Sequence, residues 1–231
     1  MGVLVTDETL RRSSAHVFVD DVAHPVLASD DAHHLARVLR LRDGEPVTCS
    51  DGRGRWRSCT WVAGGLTARE NVIEVAAPSA RLSVGIAPVR GDGTEDAVTK
   101  LVEVGIDEIV ILAPLEHSVV RWDADRAAVH IERLGRLVRT AAMQSRRVHL
   151  PTIRGPVPLE DVLAGEGVAL AEPGGDTVWD GVTAVVVGPE GGFSPAEVAR
   201  AARTVSMGSS ILRAGTAAVA AGVRLAALHR S

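Results

Sequence analysis

The chain has 231 residues, 46% of them hydrophobic and 23% charged, with a net charge of −4; this is too apolar for a disordered polymer and long enough for a real core. No apolar run reaches the roughly 18–20 residues of a bilayer-spanning helix, the N-terminus lacks a basic-then-apolar leader, and two cysteines, Cys49 and Cys59, make neither a disulfide framework nor a four-ligand metal site. The expectation is a cytoplasmic protein without a metal, because its eight histidines show no HxxxH or Cys/His spacing.

Residues 1–78 read as short strands and turns. Weak alternation over 16–19, a run at 46–49, the turn Asp51-Gly52-Arg53-Gly54, then runs over 55–61 and 71–75 suggest a small barrel. One helix interrupts them at 30–39, with Leu35, Val38 and Leu39 on one face. The boundary falls at Ala77-Pro78-Ser79, giving domains 1–78 and 79–231. Beyond it strands and helices alternate, as in an α/β domain: strands at 82–87 and 108–113, a helix from Asp92 to a stop at Gly105, and a long helix over about 123–145 with Ile131, Leu134, Val138 and Ala141 inward. Short apolar runs at 168–171 and 184–187 suit buried parallel strands, and a last helix runs over about 216–229.

Charge is unevenly placed. Residues 117–154 hold eight Arg against three acids, whereas 155–199 hold eight acids and no Lys or Arg. Such a pairing suits a protein with one face toward a polyanion, and equally a solvated helix face. Lys100 is the only lysine beside 24 arginines.

Three segments carry chemistry. In Val187-Gly188-Pro189-Glu190-Gly191-Gly192-Phe193-Ser194-Pro195-Ala196-Glu197 a buried strand ends in glycines and a helix begins, with Ser194 and Glu197 spaced as a capping box and Pro195 at the first helical position. Loops at this end of a strand bind ligands in open α/β sheets, although the segment is neither a Walker A loop nor GxGxxG. The second, Ser206-Met207-Gly208-Ser209-Ser210-Ile211-Leu212-Arg213-Ala214-Gly215-Thr216-Ala217, offers small residues and two apolar walls before a helix capped by Thr216. The third is Gln144-Ser145-Arg146-Arg147, able to hold phosphates and a base edge, or simply to meet a helix C-terminus.

In this order and spacing the three segments resemble the RsmE family, the 16S rRNA (uracil(1498)-N3)-methyltransferases of the SPOUT class. The resemblance runs nearly end to end: His33-His34-Leu35-Ala36-Arg37-Val38-Leu39-Arg40 with the 51–54 turn is similar to the family's PUA-like barrel, and Lys100-Leu101-Val102-Glu103-Val104-Gly105 to its Lys-Glu-Gly helix. It implies an N-terminal PUA-like β-barrel followed by a SPOUT α/β domain with a C-terminal trefoil knot at about 168–231, and a homodimer that methylates N3 of a uridine in 16S rRNA of the small subunit. S-adenosylmethionine would lie among loops 171–175, 188–194 and 207–215. Its residues would be Ala171, Glu172, Val187, Gly188, Pro189, Glu190, Gly191, Gly192, Met207, Gly208, Ile211, Leu212, Arg213, Thr216 and Ala217, with glycines leaving room for close approach. Arg213 and Glu190 are the catalytic candidates: Arg213 would stabilise the uracil anion formed as N3 loses its proton, and Arg146 or Arg147 would assist. RNA would be held by Arg37, Arg40, Arg53, Arg55, Arg57, Lys100, Gln144, Ser145, Arg146 and Arg147. Trp56 or Trp61 would either stack on a base or fill the core. Removing 1–78 should abolish RNA binding and spare cofactor binding.

Three positions depart from the family pattern: Gly215 and Met143 stand where members carry glutamate, and His117 where they often carry arginine. A mechanism routed through either glutamate has no such residue here. Three rival readings remain: a non-catalytic rRNA-binding or assembly factor, a SPOUT methyltransferase acting on tRNA and, as a distant third, an enzyme acting on a small-molecule nucleotide.

Overall fold

The computed structural model describes residues 8–230; the reading of a leaderless N-terminus falls largely on 1–7, outside them. The chain divides into two compact units, but not at a single cut. One runs through Ser79 and also takes in Ala142–Leu150; the other comprises Ala80–Ala141 and the remainder from Pro151.

The first unit opens with a short helix α1 (Glu8–Arg12) and strand β1 (Ala15–Phe18), buried at all four positions. β1 pairs in parallel with β2 (Pro46–Ser50), and β2 pairs antiparallel with β3 (Arg55–Val62). β3 then pairs antiparallel with β4 (Gly65–Ala68) and with β5 (Ile73–Glu74). Val17, Leu35, Val47, Cys49, Cys59 and Trp61 form the main core, each large side chain stabilising by about 1.5–3 kcal/mol. Trp56 joins Leu10 and Val148 in a second cluster. With both indoles in the core, neither presents a face to a base, which decides between the two roles expected for them.

The helix expected over 30–39 forms differently. α2 (Ser29–His33) passes into a π-helical turn at His34–Val38, where the Leu39 N–H donates to the His34 carbonyl at 3.0 Å. The wider turn rotates later residues off the face of Leu35. Leu35 is buried, whereas Val38 and Leu39 are exposed, so the expected three-residue stripe is corrected to one anchor.

Residues 142–150 complete this unit. Their backbone lies against it: the Ser50 hydroxyl donates to the Val148 carbonyl at 2.9 Å, and the Leu150 N–H to the Gly52 carbonyl at 2.9 Å. His16 is fully interior, with Nδ1 2.9 Å from the Thr48 hydroxyl and Nε2 3.1 Å from the Arg147 carbonyl. A carbonyl only accepts, so Nε2 carries a proton. Burial, with the nearby Arg146 charge, lowers the His16 pKa to about 4 against the opposing pull of the Arg147 carbonyl.

The second unit is an α/β layer structure around a parallel six-stranded sheet of order β11-β9-β10-β6-β7-β8. Its strands are β6 (Ser83–Ile86), β7 (Glu108–Leu112), β8 (Thr152–Val157), β9 (Val168–Asp176), β10 (Ala184–Val187) and β11 (Thr204–Val205). The inner strands β6, β7 and β10 are largely apolar because both faces of the sheet are covered there. Val110, Leu112, Leu170 and Val186 pack with Leu159 and Val162 of α5 (Leu159–Leu163). α3 (Gly93–Glu103) packs on α7 (Ala214–His229), where Gly222 admits the Leu101 side chain. The long helix α4 (Ala124–Gln144) buries Leu134, Val138 and Ala141, with Ile131 half-buried. α6 (Pro195–Val198) is a single turn. β4, β8, β11 and α5 lacked a distinguishing sequence pattern. No described helix is long and apolar enough to cross a membrane, and no group of three potential metal ligands forms among the described residues.

Candidate functional site

The segment after β10 folds by local rules. Ser194 caps α6: its hydroxyl accepts from the Glu197 N–H, and Glu197 accepts in return from the Ser194 N–H at 2.8 Å, with Pro195 first in the helix. The capping box read from the sequence is therefore present. Glu197 does more than that pattern signals: its other oxygen accepts from the Glu116 N–H at 2.9 Å. This buried carboxylate ties the loop to the 115–118 turn, which is closed in turn by the Ser118 hydroxyl accepting from the Leu115 N–H at 2.9 Å.

Two of the loop's glycines are needed by this chain's own packing. A Cβ on Gly188 would meet the Phe193 ring at 2.9–3.1 Å, and one on Gly191 would meet the His117 Cβ at 3.0 Å. Gly192, at φ 73°, instead has open space around it and a left-handed backbone. Gly188 and Gly191 are thus explained by the chain's own packing, and Gly192 by its backbone conformation.

Beside this loop lies 206–213, after β11. The Gly208 N–H donates to the Ser206 hydroxyl at 3.2 Å, and that hydroxyl donates to the Gly208 carbonyl at 3.0 Å. Ile211 is 81% exposed. The third wall comes from β9. Its register against β11 jumps from Leu170↔Thr204 to Asp176↔Val205, so residues 171–175 leave the ladder.

These three segments enclose one hollow of about 280 Å³ at the carboxyl ends of the strands. It brings together Ala171, Glu172, Val187, Gly188, Pro189, Glu190, Gly191, Gly192, Met207, Gly208, Ile211, Leu212 and Ala217. Pro173, Phe193, Ser206, Ser210 and Ala214 line it as well; all five lie within the segments and loops named from the sequence, although none was among the expected cofactor residues. Arg213 and Thr216 are not among its lining residues. The expected cap at Thr216 is corrected: α7 starts at Ala214 with extended Arg213 as its N-cap, and Thr216 lies exposed in the first turn. The backbone is extended at Arg213 (ψ 149°) and turns helical at Ala214, the residue type with the highest helix propensity. Glu190 is exposed at the rim.

The basic residues fall into two kinds. Arg37, Arg40, Arg53 and Arg55 are exposed on the first unit, and Lys100 on α3 of the second, 3.7 Å from Asp96. Arg57 and Arg146 are committed to backbone carbonyls: Arg57 donates to those of Val22, Ala23 and Glu70, and Arg146 to Met143 and, at 2.8 Å, Ser13. Burial lowers the pKa of Arg146. Gln144 is exposed, and Ser145 and Arg147 are half-buried.

Comparison with known proteins gives consistent matches. The family profile for an RNA methyltransferase domain matches residues 76–226, and that for an RNA methyltransferase PUA domain matches 27–61. The ribosomal RNA small subunit methyltransferase E of Mycobacterium bovis is 32% identical over 226 residues, spanning 87% of this chain and 86% of that protein. Its namesake from Synechocystis sp. is 30% identical, over 89% of this chain and 73% of the relative. The crystal structure of a ribosomal RNA small subunit methyltransferase E from Neisseria gonorrhoeae, bound to S-adenosyl methionine, superposes with a TM-score of 0.76 at 22% identity, covering 93% of this chain and 97% of the other.

Proposed function

The chain belongs to the ribosomal RNA small subunit methyltransferase E family, and from that premise we propose that it transfers a methyl group from S-adenosylmethionine to N3 of a uridine in 16S rRNA. The observation that carries the reading is the hollow of about 280 Å³ at the carboxyl ends of β9 and β10, the place where open parallel sheets take ligands.

The residues present fit the cofactor. Val187, Ile211 and Leu212 give apolar walls for an adenine, and backbone groups of the 188–192 and 207–212 turns supply donors and acceptors for its edge. Gly192 and Gly208 leave space that a side chain would fill. Bound there, S-adenosylmethionine supplies an electrophilic sulfonium methyl group. The chain's task is to favour loss of the N3 proton and to hold the uracil in line. Arg213, exposed at the N-cap of α7 beside the hollow, is positioned to stabilise charge on a uracil oxygen, and Glu190 on the rim is the nearest motif carboxylate. With Gly215 and Met143 in place of glutamates, stabilisation of the anion carries more of the work than a glutamate base.

The remaining parts of the reading follow the family. The N-terminal unit is a PUA-like β-barrel, with Arg37, Arg40, Arg53 and Arg55 toward phosphates; Gln144, Ser145 and Arg147 add contacts, and Arg57 and Arg146 shape the unit. Residues of about 168–231 form a trefoil knot, two copies associate as a homodimer across which Lys100 reaches substrate phosphate, and the protein acts in the cytoplasm.

The test uses small ribosomal subunits from cells lacking this gene, incubated with the protein and labelled S-adenosylmethionine, with modified uridines mapped by mass spectrometry. A single 3-methyluridine in the 16S decoding region is expected. Cofactor binding by calorimetry without transfer to any RNA would support an assembly factor, and label on tRNA would move the substrate.

A further inference from the structure

A second hollow of about 280 Å³ lies in the C-terminal unit, apart from the one described. Val89, Arg90 and Thr94 line it on one side, and Trp122 with His130 and Arg133 of α4 on the other. The Trp122 and His130 rings lie parallel, 12° between planes and 4.2 Å between centroids. Arg133 is paired with Glu95 at 2.9 Å, so those two charges cancel. Arg90 is exposed and has no hydrogen bond or ion pair among the described residues. The hollow is therefore lined by two stacked aromatic rings and one uncompensated guanidinium.

The two hollows are neighbours. A small space of about 10 Å³ shares Val89 and Thr94 with the aromatic hollow, and shares Val187, Gly188 and Ala214 with the candidate cofactor hollow. It has about the volume of one water-sized probe, so no base passes through it. A base seated against the aromatic pair would adjoin the candidate cofactor hollow without reaching it through this space.

We propose that the aromatic hollow is a subsite for a nucleotide flanking the methylated uridine, its base stacked on the Trp122–His130 pair and its phosphate at Arg90. The inference rests on the reading that the chain acts on RNA. Unpaired RNA is recognised by aromatic stacking together with cationic contacts to phosphate, and both elements face one cavity here. Seating the flanking base would fix the register of the strand, so that the next nucleotide is the one presented to the donor.

Fluorescence tests this directly, because Trp56, Trp61 and Trp179 are buried and Trp122 is half-buried. A short single-stranded oligouridylate should quench the full-length protein. Arg90→Ala and His130→Ala should each bind it about tenfold more weakly and raise KM for small subunits, with S-adenosylmethionine affinity and sedimentation unchanged. Arg90 is exposed, so its variant tests the site even if His130→Ala fails to fold. Wild-type affinity and KM in a folded Arg90→Ala protein, with methylation intact, would overturn the subsite and leave the activity standing. A shift in the monomer–dimer equilibrium without loss of RNA affinity would also overturn it, by giving the hollow to a second copy of the chain. Retained quenching and Arg90 dependence without methyl transfer by the wild type would keep the subsite and overturn the methyltransferase reading.

Discussion

Each of the two units buries one ionisable side chain that ties together segments far apart in the sequence, and the two do it with opposite hydrogen-bonding roles. In the N-terminal unit His16 must donate from Nε2 to the Arg147 carbonyl while Nδ1 faces the Thr48 hydroxyl. In the C-terminal unit Glu197 only accepts, taking the Ser194 and Glu116 N–H groups on its two oxygens. A strongly shifted histidine is a common mark of a catalytic site, but His16 sits in a core with both ring nitrogens partnered. The Glu197 carboxylate holds the loop that lines the candidate cofactor hollow. What distinguishes structure from function here is which segment each group anchors, and not how unusual the group is.

Acid offers the largest test of this contrast. The folded pKa of His16, about 4, lies below its ordinary 6.5, so the unfolded chain binds the proton first. Stability should be level above about pH 6.5 and fall as pH drops through 4, by about 3 kcal/mol in all. Denaturant unfolding across that range measures the loss, and His16→Gln should flatten its pH dependence. Substituting Glu197→Gln turns one acceptor oxygen into an amide donor, leaving one of the two backbone N–H groups without its partner. A loss of about 2 kcal/mol is expected, together with weaker S-adenosylmethionine binding by calorimetry; unchanged cofactor affinity would break the link between this residue and the hollow. Gly188→Ala forces the Phe193 ring aside and should lower stability by about 1.5 kcal/mol, again with weaker cofactor binding. The smallest effect has the opposite sign. A Cβ on Gly215 would come no nearer than 3.9 Å to the Gly93 carbonyl oxygen, so Gly215→Ala should stabilise α7 by about 0.5 kcal/mol, read as a rise in Tm.

Legibility in the sequence followed the range of the interactions. Ser194, Pro195 and Glu197 encode a cap within four residues, and the apolar runs of β6, β7 and β10 encode burial on both faces, so both could be read. The 188–194 loop could be read because it follows the apolar run of β10, whereas the 171–175 loop was expected only from the family resemblance. The Glu197–Glu116 bond spans 81 residues and leaves no periodic trace. Val38 and Leu39 misled because helical spacing was assumed where the turn widens at His34. Arg57 and Arg146 looked like phosphate ligands, since nothing in a charge count tells a guanidinium facing carbonyls from one facing water. The pairing of His16 with Arg147 was equally invisible, as was the membership of 142–150 in the N-terminal unit.

That last feature bears on how the protein emerges during translation. The N-terminal sheet cannot finish its interior until Val148 and the Arg147 carbonyl have been made, some seventy residues after Ser79; at about 5–20 residues per second the wait lasts on the order of several seconds. Through that interval the nascent sheet holds an incomplete core, a window in which chaperones would find it. The same dependence means that a fragment ending at residue 78 lacks part of its own interior, so an excised RNA-binding unit would need the 142–150 segment supplied alongside it.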